Sequence, residues 1–191
     1  MAQQNSIPVV RGTLAGLAAY LFGYLVTYLL VAPRIDDLFA VQAFEFFTGE
    51  NPVWKLTGWL FYNEHFVSTI VPRLAGSDMV NFLVESDDGS ATLLFFLPVL
   101  LIVVAGALAA RSQSGTNTSS SAKAGATVVL GYVLPALVGA QLFRLDLGNS
   151  TAGPDFVTAI LVAGLLYPLI FGALGGVLVS FYSSRQTSSP Q

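Results

Sequence analysis

The chain has no cysteine, a single histidine and few charges, and each shortage removes a class of function. Without cysteine there is no disulfide framework, no thiolate metal site and no cysteine nucleophile. The one histidine, His65, follows Glu64; on a helix such neighbours point about 100° apart, so they cannot chelate one ion together. No Ser-His-Asp spacing, glycine-rich phosphate loop or HExxH pattern is present, which predicts no catalytic residue, no metal and no cofactor. Charged residues make up 10% of the chain, against roughly 25% in an average soluble domain. The net charge is −3 and the eight basic residues never cluster, so nucleic acid is excluded as a partner.

What is abundant is apolar sequence: 54% of the 191 residues are hydrophobic. They are gathered into blocks rather than spread at the period of a soluble core. Four blocks reach the roughly 20 residues that an α-helix needs to cross the hydrocarbon of a bilayer, at 13–32, 91–110, 126–143 and 156–181. None contains an acidic or basic residue. The first is too long for a cleavable signal, and Pro33 and Arg34 follow it directly instead of a small-residue cleavage site. The expected fold is therefore all-α: one integral membrane bundle of about four transmembrane helices, with the lipid bilayer as solvent.

Between the spans, Arg11, Arg111, Lys123 and Arg185 fall on one side. Arg34, Lys55, Arg73, Arg144 and every acidic residue fall on the other. By number the basic residues tie, but those of the first group lie in much shorter segments, which predicts a multi-pass protein of the cell membrane with both termini cytoplasmic. The glycosylation sequons at Asn117 and Asn149 lie on opposite sides of this arrangement, so at most one is usable. The stretch 112–121, rich in Ser, Thr, Gly and Asn, reads as a flexible cytoplasmic loop, and 183–191 as a flexible tail.

Residues 36–83, between the first two spans, are aromatic and punctuated by helix signals, and are expected to form a helical cap at the outer membrane interface. Asp36 or Asp37 can cap a short helix ending near Gly49, and Asn51-Pro52 opens another over 53–67. On that second helix Leu56, Trp59, Leu60, Asn63 and Val67 share one face, with Trp54, Phe61 and His65 on another. Two apolar faces suit an interfacial helix anchored by Trp54, Trp59, Tyr62 and His65. The alternative is a reentrant or fifth membrane segment, opposed by Lys55 and Glu64, which are costly at depth.

Two patterns stand out within the spans. Gly131, Pro135 and Gly139 repeat as Gly164, Pro168 and Gly172, with Gly176 one step on; both stretches read G-x-x-x-P-x-x-x-G-A and run in opposite directions, as an inverted pair does. The spacing makes flat stripes along which the last two spans are expected to pack, and each proline frees a carbonyl and can act as a hinge. On the first span Tyr20, Tyr24 and Tyr28, with Thr27 beside them, form a polar seam that either lines a solute path or supplies interhelical hydrogen bonds.

The segment Gly58-Trp59-Leu60-Phe61-Tyr62-Asn63-Glu64-His65-Phe66-Val67 resembles a stretch of a family of uncharacterised integral membrane proteins of halophilic archaea, and the organisation of the chain is similar to theirs. That resemblance implies membrane localisation and no particular activity. The expected function is a non-enzymatic membrane protein, either a small transporter-like bundle or an accessory subunit, self-associating or bound to another membrane subunit. The alternative is a lipid-active membrane enzyme with its site in the outer cap, drawing on Glu64, His65 and Asp36 or Asp37.

Overall fold

A computed structural model describes residues 8–87, 89–111 and 117–187. Among them, four helices are long and apolar enough to cross a membrane: Val9–Asp36, Ala91–Ala110, Thr118–Leu142 and Phe156–Tyr182. The first is one continuous helix, α1 (Val9–Asp36), which passes Pro33 near its end instead of stopping before it. A proline so close to a helix C-terminus removes a single backbone hydrogen bond. The second span enters through a short 3₁₀ turn, Ala91–Phe95, and continues as α4 (Phe96–Ala110). The third consists of α5 (Thr118–Ala126) and α6 (Val128–Leu142).

The fourth span starts as α7 (Phe156–Thr158), widens into a π-helix over Ala159–Leu166 and resumes as α8 (Tyr167–Thr187). Pro168 supplies a reason for the widening. It has no N–H to offer the carbonyl of Gly164, so the regular ladder has to break near this point, and a π turn is one way to absorb the break.

The loop expectation at 112–121 needs correction over its second half. Residues 112–116 lie outside the described residues, but Asn117 Oδ1 accepts the Ser120 N–H at 2.8 Å and caps a helix that starts at Thr118. Of the stretch read as linker, Ser121 is buried in this helix, and Ala124 and Gly125 just beyond it are buried too. The tail is also helical through Thr187, with 188–191 outside the described residues.

A larger correction concerns the cap, which is not all helix. Helix α2 (Phe39–Thr48) ends at Gly49 as expected, in the left-handed region at φ 74°, but its N-cap is Leu38 and not Asp36 or Asp37; α3 (Val53–Asn63) opens after Asn51-Pro52 as expected but stops at Asn63, short of Val67. They are followed by strands β1 (Thr69–Pro72) and β2 (Ser77–Val80), and the chain returns after α6 with β3 (Leu145–Asp146) and β4 (Thr151–Pro154). All pair antiparallel in the order β2-β1-β4-β3, with Thr69 opposite Val80 on one side and Pro154 on the other. The β-branched run Thr69-Ile70-Val71 carries a strand signal, but four residues are too few to show alternation.

The residues group into two compact units. In the unit formed by Met1–Tyr20, Val99–Pro135 and Gly164–Gln191, backbones meet at glycines. Gly12 of α1 lies against Thr127, Gly16 against the Val128 carbonyl, and Gly131 of α6 against the Thr13 carbonyl. Gly172 of α8 meets Gly125 and Gly106, Gly175 meets Val103, and Gly176 meets the Ser121 carbonyl. Small-residue packing is thus present, and the last two spans do meet along Gly172 and Gly176, but at Gly125 and Ser121 of α5 and not at the stripe of α6. Gly131 faces the first span instead, and Gly172 also meets α4, because small residues of α1, α4 and α5 offer equally flat counterparts. The unit formed by Leu21–Pro98 and Ala136–Ala163 contains the cap, and Ala32, Ile35, Val41 and Val53 form a core cluster there.

Candidate functional site

The site builds up from the C-terminal end of α3. Phe66 adopts a left-handed conformation at φ 59°, while the Val67 N–H reaches the Tyr62 carbonyl at 3.1 Å and the Phe66 N–H the Asn63 carbonyl at 2.9 Å. This is a Schellman closure with phenylalanine where glycine is usual. The Phe66 ring stacks on Phe95 with centroids 4.6 Å apart, which helps hold a conformation costing roughly 1–2 kcal/mol for a residue with a Cβ. The closure stops the helix sharply and leaves Asn63, Glu64 and His65 fully buried.

Each of the three then finds its own partners. Asn63 Nδ2 donates to the Val67 carbonyl at 2.8 Å and to Thr69 Oγ1 at 3.3 Å, and its Oδ1 accepts the Phe82 N–H at 2.9 Å, tying α3 to β1 and to the chain beyond β2. His65 Nδ1 lies 2.8 Å from the Phe61 carbonyl, with the ring edge-on to Phe61. Burial lowers its pKa to about 4, the backbone hydrogen bond opposing, so the ring is neutral at pH 7.

Glu64 turns the other way. Its Oε1 sits 2.7 Å from Thr27 Oγ1 of α1, and Thr27 is itself buried. Its Oε2 is buried with no hydrogen-bond partner. Thr57, two turns earlier on the same face of α3, also carries a buried hydroxyl without a partner. Burial pushes the Glu64 pKa well above the usual carboxylate range, with the Thr27 hydrogen bond pulling against that shift. Among the described residues, Glu64 and His65 are the fully buried acidic and basic side chains.

Aromatic residues of α3 lock this arrangement to the end of α6. Trp59 Nε1 donates to the Phe143 carbonyl at 2.6 Å, satisfying a carbonyl just beyond the helix end, and the Tyr62 hydroxyl donates to the Ala136 carbonyl. The Phe143 ring lies 5.1 Å from Tyr24, 5.9 Å from Trp54 and 6.1 Å from Tyr62. Gly58 lies directly against that ring, so any Cβ there would overlap it.

These placements revise the proposed anchors. Tyr62 and His65 are fully buried and Trp59 nearly so; of the four, only Trp54, 40% exposed, keeps substantial outer surface. The helix carries too many inward contacts to expose an apolar face; instead α2 exposes Phe39, Phe46 and Phe47, each more than four-fifths accessible. The tyrosine seam divides as well. Tyr20 packs edge-on to Tyr132, the Tyr24 hydroxyl donates to the Trp54 carbonyl at 2.9 Å, Thr27 meets Glu64, and Tyr28 is partly exposed. Pro135 lies within α6, and Gly139, Gly164 and Pro168 are buried. Asp36, considered with Glu64 and His65, instead accepts from Asn51 Nδ2 at 3.3 Å.

The roles of Asn63 and Thr57 are not legible in the sequence, which marks Glu64 as costly at depth and as a candidate of the enzyme alternative, but not as a partner of Thr27. No periodicity could join Glu64 to Thr27, 37 residues earlier. No curated protein and no solved structure matches the chain. A family model does match, over residues 1–183, and the chain belongs to that family of unknown function, DUF7978.

Proposed function

We propose that this DUF7978 member is a non-enzymatic multi-pass membrane protein, a small transporter-like bundle with both termini in the cytoplasm, whose polar centre is the Glu64–Thr27 pair. One observation carries the reading: a fully buried carboxyl, one oxygen unpartnered, held against a helix apolar enough to span the bilayer. Ionisable groups so placed are expensive to keep, and in membrane proteins they mark solute, ion or proton handling. The π-helix before Pro168 agrees with it, as does Pro135 inside α6, which leaves the Gly131 carbonyl without its usual donor, since Gly/Pro-interrupted spans are where transporters change shape. The orientation rests on Arg11, Arg111, Lys123 and Arg185 in the shorter connections.

An accessory subunit is the second reading, favoured by the exposed Phe39, Phe46 and Phe47 of α2, a surface that another membrane protein could cover. A lipid-active enzyme gains less support. Glu64 and His65 are committed to different partners, Thr27 and the Phe61 carbonyl, and neither is reachable from outside.

The test is purification in mild detergent, mass determination, and reconstitution into liposomes with an imposed pH or sodium gradient. Gradient-driven solute uptake that disappears in Glu64→Gln supports the transporter reading. A stoichiometric second membrane protein with no uptake selects the subunit. Lipid hydrolysis or transfer lost in both Glu64→Gln and His65→Ala overturns the proposal in favour of an enzyme.

A further inference from the structure

We propose that the Glu64 carboxyl is a proton-binding site, holding one exchangeable proton hydrogen-bonded to the Thr27 hydroxyl in the folded protein at neutral pH. This deepens the assignment of the Glu64–Thr27 pair as the polar centre, yet the site can exist equally in a protein that transports nothing.

Hydrogen-bond geometry assigns the proton. Thr27 has one hydroxyl hydrogen and two oxygens within reach, the Gly23 carbonyl at 3.0 Å and Glu64 Oε1 at 2.7 Å. With the carboxyl ionised, that hydrogen has to serve Glu64, and a buried charge receives a single hydrogen bond while Oε2 receives none. With a proton on Oε1, the acid donates to Thr27 and Thr27 donates to Gly23, so both short distances are filled in one chain. The unpartnered Oε2 is then a neutral carbonyl-type oxygen, far cheaper to bury bare than a carboxylate.

The surroundings agree. Glu64 lies at the C-terminal end of α3, where the helix dipole disfavours negative charge. On α1, Tyr24 is committed to the Trp54 carbonyl and Tyr28 turns partly outward. On α3, the neighbouring His65 faces the Phe61 carbonyl and is neutral at pH 7. Strands β1 and β4 and helix α6, which pack around α3, contain no acidic or basic residue. The nearest cations along α1 and α3, Arg34 and Lys55, lie seven and nine residues from Thr27 and Glu64, and among the described residues no ion pair to Glu64 occurs.

A metal ion is a poorer occupant. One hydroxyl and one carbonyl beside the carboxyl fall short of the six or more oxygens that a hard divalent cation takes, and among the described residues no three His, Cys, Asp or Glu come together.

The experiment is infrared difference spectroscopy of the full chain in nanodiscs, titrated from acid to alkaline pH in water and deuterium oxide. A protonated-carboxyl C=O band that persists at pH 7, shifts on deuteration and disappears in Glu64→Gln is the expected result. Thr27→Val, which removes the acceptor, should move that band to higher frequency, and it supplies the decision if Glu64→Gln does not fold. Absence of such a band at pH 7, or a band unchanged in both variants, overturns the proposal. So does a band abolished by sodium or potassium at constant pH, which would make the site one for a metal cation. A persistent band in a protein that moves no solute leaves the proton site standing and removes only the transport reading.

Discussion

Replacing Gly131 by alanine tests whether α1 and α6 touch backbone to backbone. In an unconstrained helix this substitution stabilises by about 1 kcal/mol, since alanine is the better helix former. Here a Cβ at position 131 would fall within contact of the Thr13 carbonyl oxygen, 2.6 Å from the Thr13 carbonyl carbon and 2.8 Å from the Leu17 nitrogen. Those atoms belong to helix backbone and cannot swing aside as a side chain can, so the axes have to separate. Overpacking of this kind costs about 1–3 kcal/mol, and the upper part of that range applies because a gap of 0.5–1 Å forfeits a quarter to a half of each dispersion contact along the crossing. After the propensity gain the net expectation is about 1–2 kcal/mol of destabilisation, and more for Gly131→Leu. Far-ultraviolet circular dichroism during a dodecyl sulfate titration in mixed micelles measures it, with Ala18→Leu, at an exposed position of α1, as the near-neutral control. A Gly131→Ala protein as stable as the original, or more so, refutes the close crossing.

Other outcomes follow from the cap. Because the folded Glu64 pKa lies above its unfolded value near 4.3, the unfolded state sheds its proton first as pH rises. Glu64→Gln should therefore gain stability relative to the parent as pH increases above about 4.3, and a difference flat with pH would count against a neutral buried acid. His65 runs oppositely: with a folded pKa of about 4, stability is kept above pH 6.5 and lost as pH falls towards 4. His65→Asn should flatten that acid limb in the same titration. Trp59→Phe removes the 2.6 Å hydrogen bond to the Phe143 carbonyl and should cost about 1–3 kcal/mol in denaturant unfolding, the range for a buried acceptor left alone.

The spans were legible because length and apolarity suffice for them: 91–110 in the sequence and Ala91–Ala110 in the structure coincide. Their pairing was legible only in part: the last two do meet, but along α5 and not along the Gly131 stripe. A stripe such as Gly131, Pro135 and Gly139 tells that a face is flat, but Thr13, Gly125 and Gly106 offer flat faces too, and only three-dimensional packing selects among them. In the cap, Gly49 and Asn51-Pro52 marked helix boundaries through local backbone chemistry, which acts over a few residues. Asn51 Oδ1 does accept a backbone N–H, that of Val53 at 2.9 Å. The sheet escaped notice because its strands span four residues or fewer and draw on loops far apart in sequence. For the same reason the burial of Glu64 was hidden: its environment is assembled from α1, α3 and their distant partners.

The pairing of β1 with β4 also sets a clock on synthesis. Thr69 cannot meet Pro154 until the third span and the turn after it have been made, and the Trp59–Phe143 contact waits almost as long. At roughly 5–20 residues per second, a nascent chain spends about 5–18 s between completing α3 at Asn63 and supplying Pro154 of β4. During that interval Glu64 and His65 already have Thr27 and the Phe61 carbonyl to meet, but the aromatic face that later covers Phe143 is bare. Maturation of the cap is thereby postponed until three of the four apolar helices have been made, so a truncation after the second should leave α3 with the β1–β2 pair alone, without β4 or Phe143, and open to proteolysis.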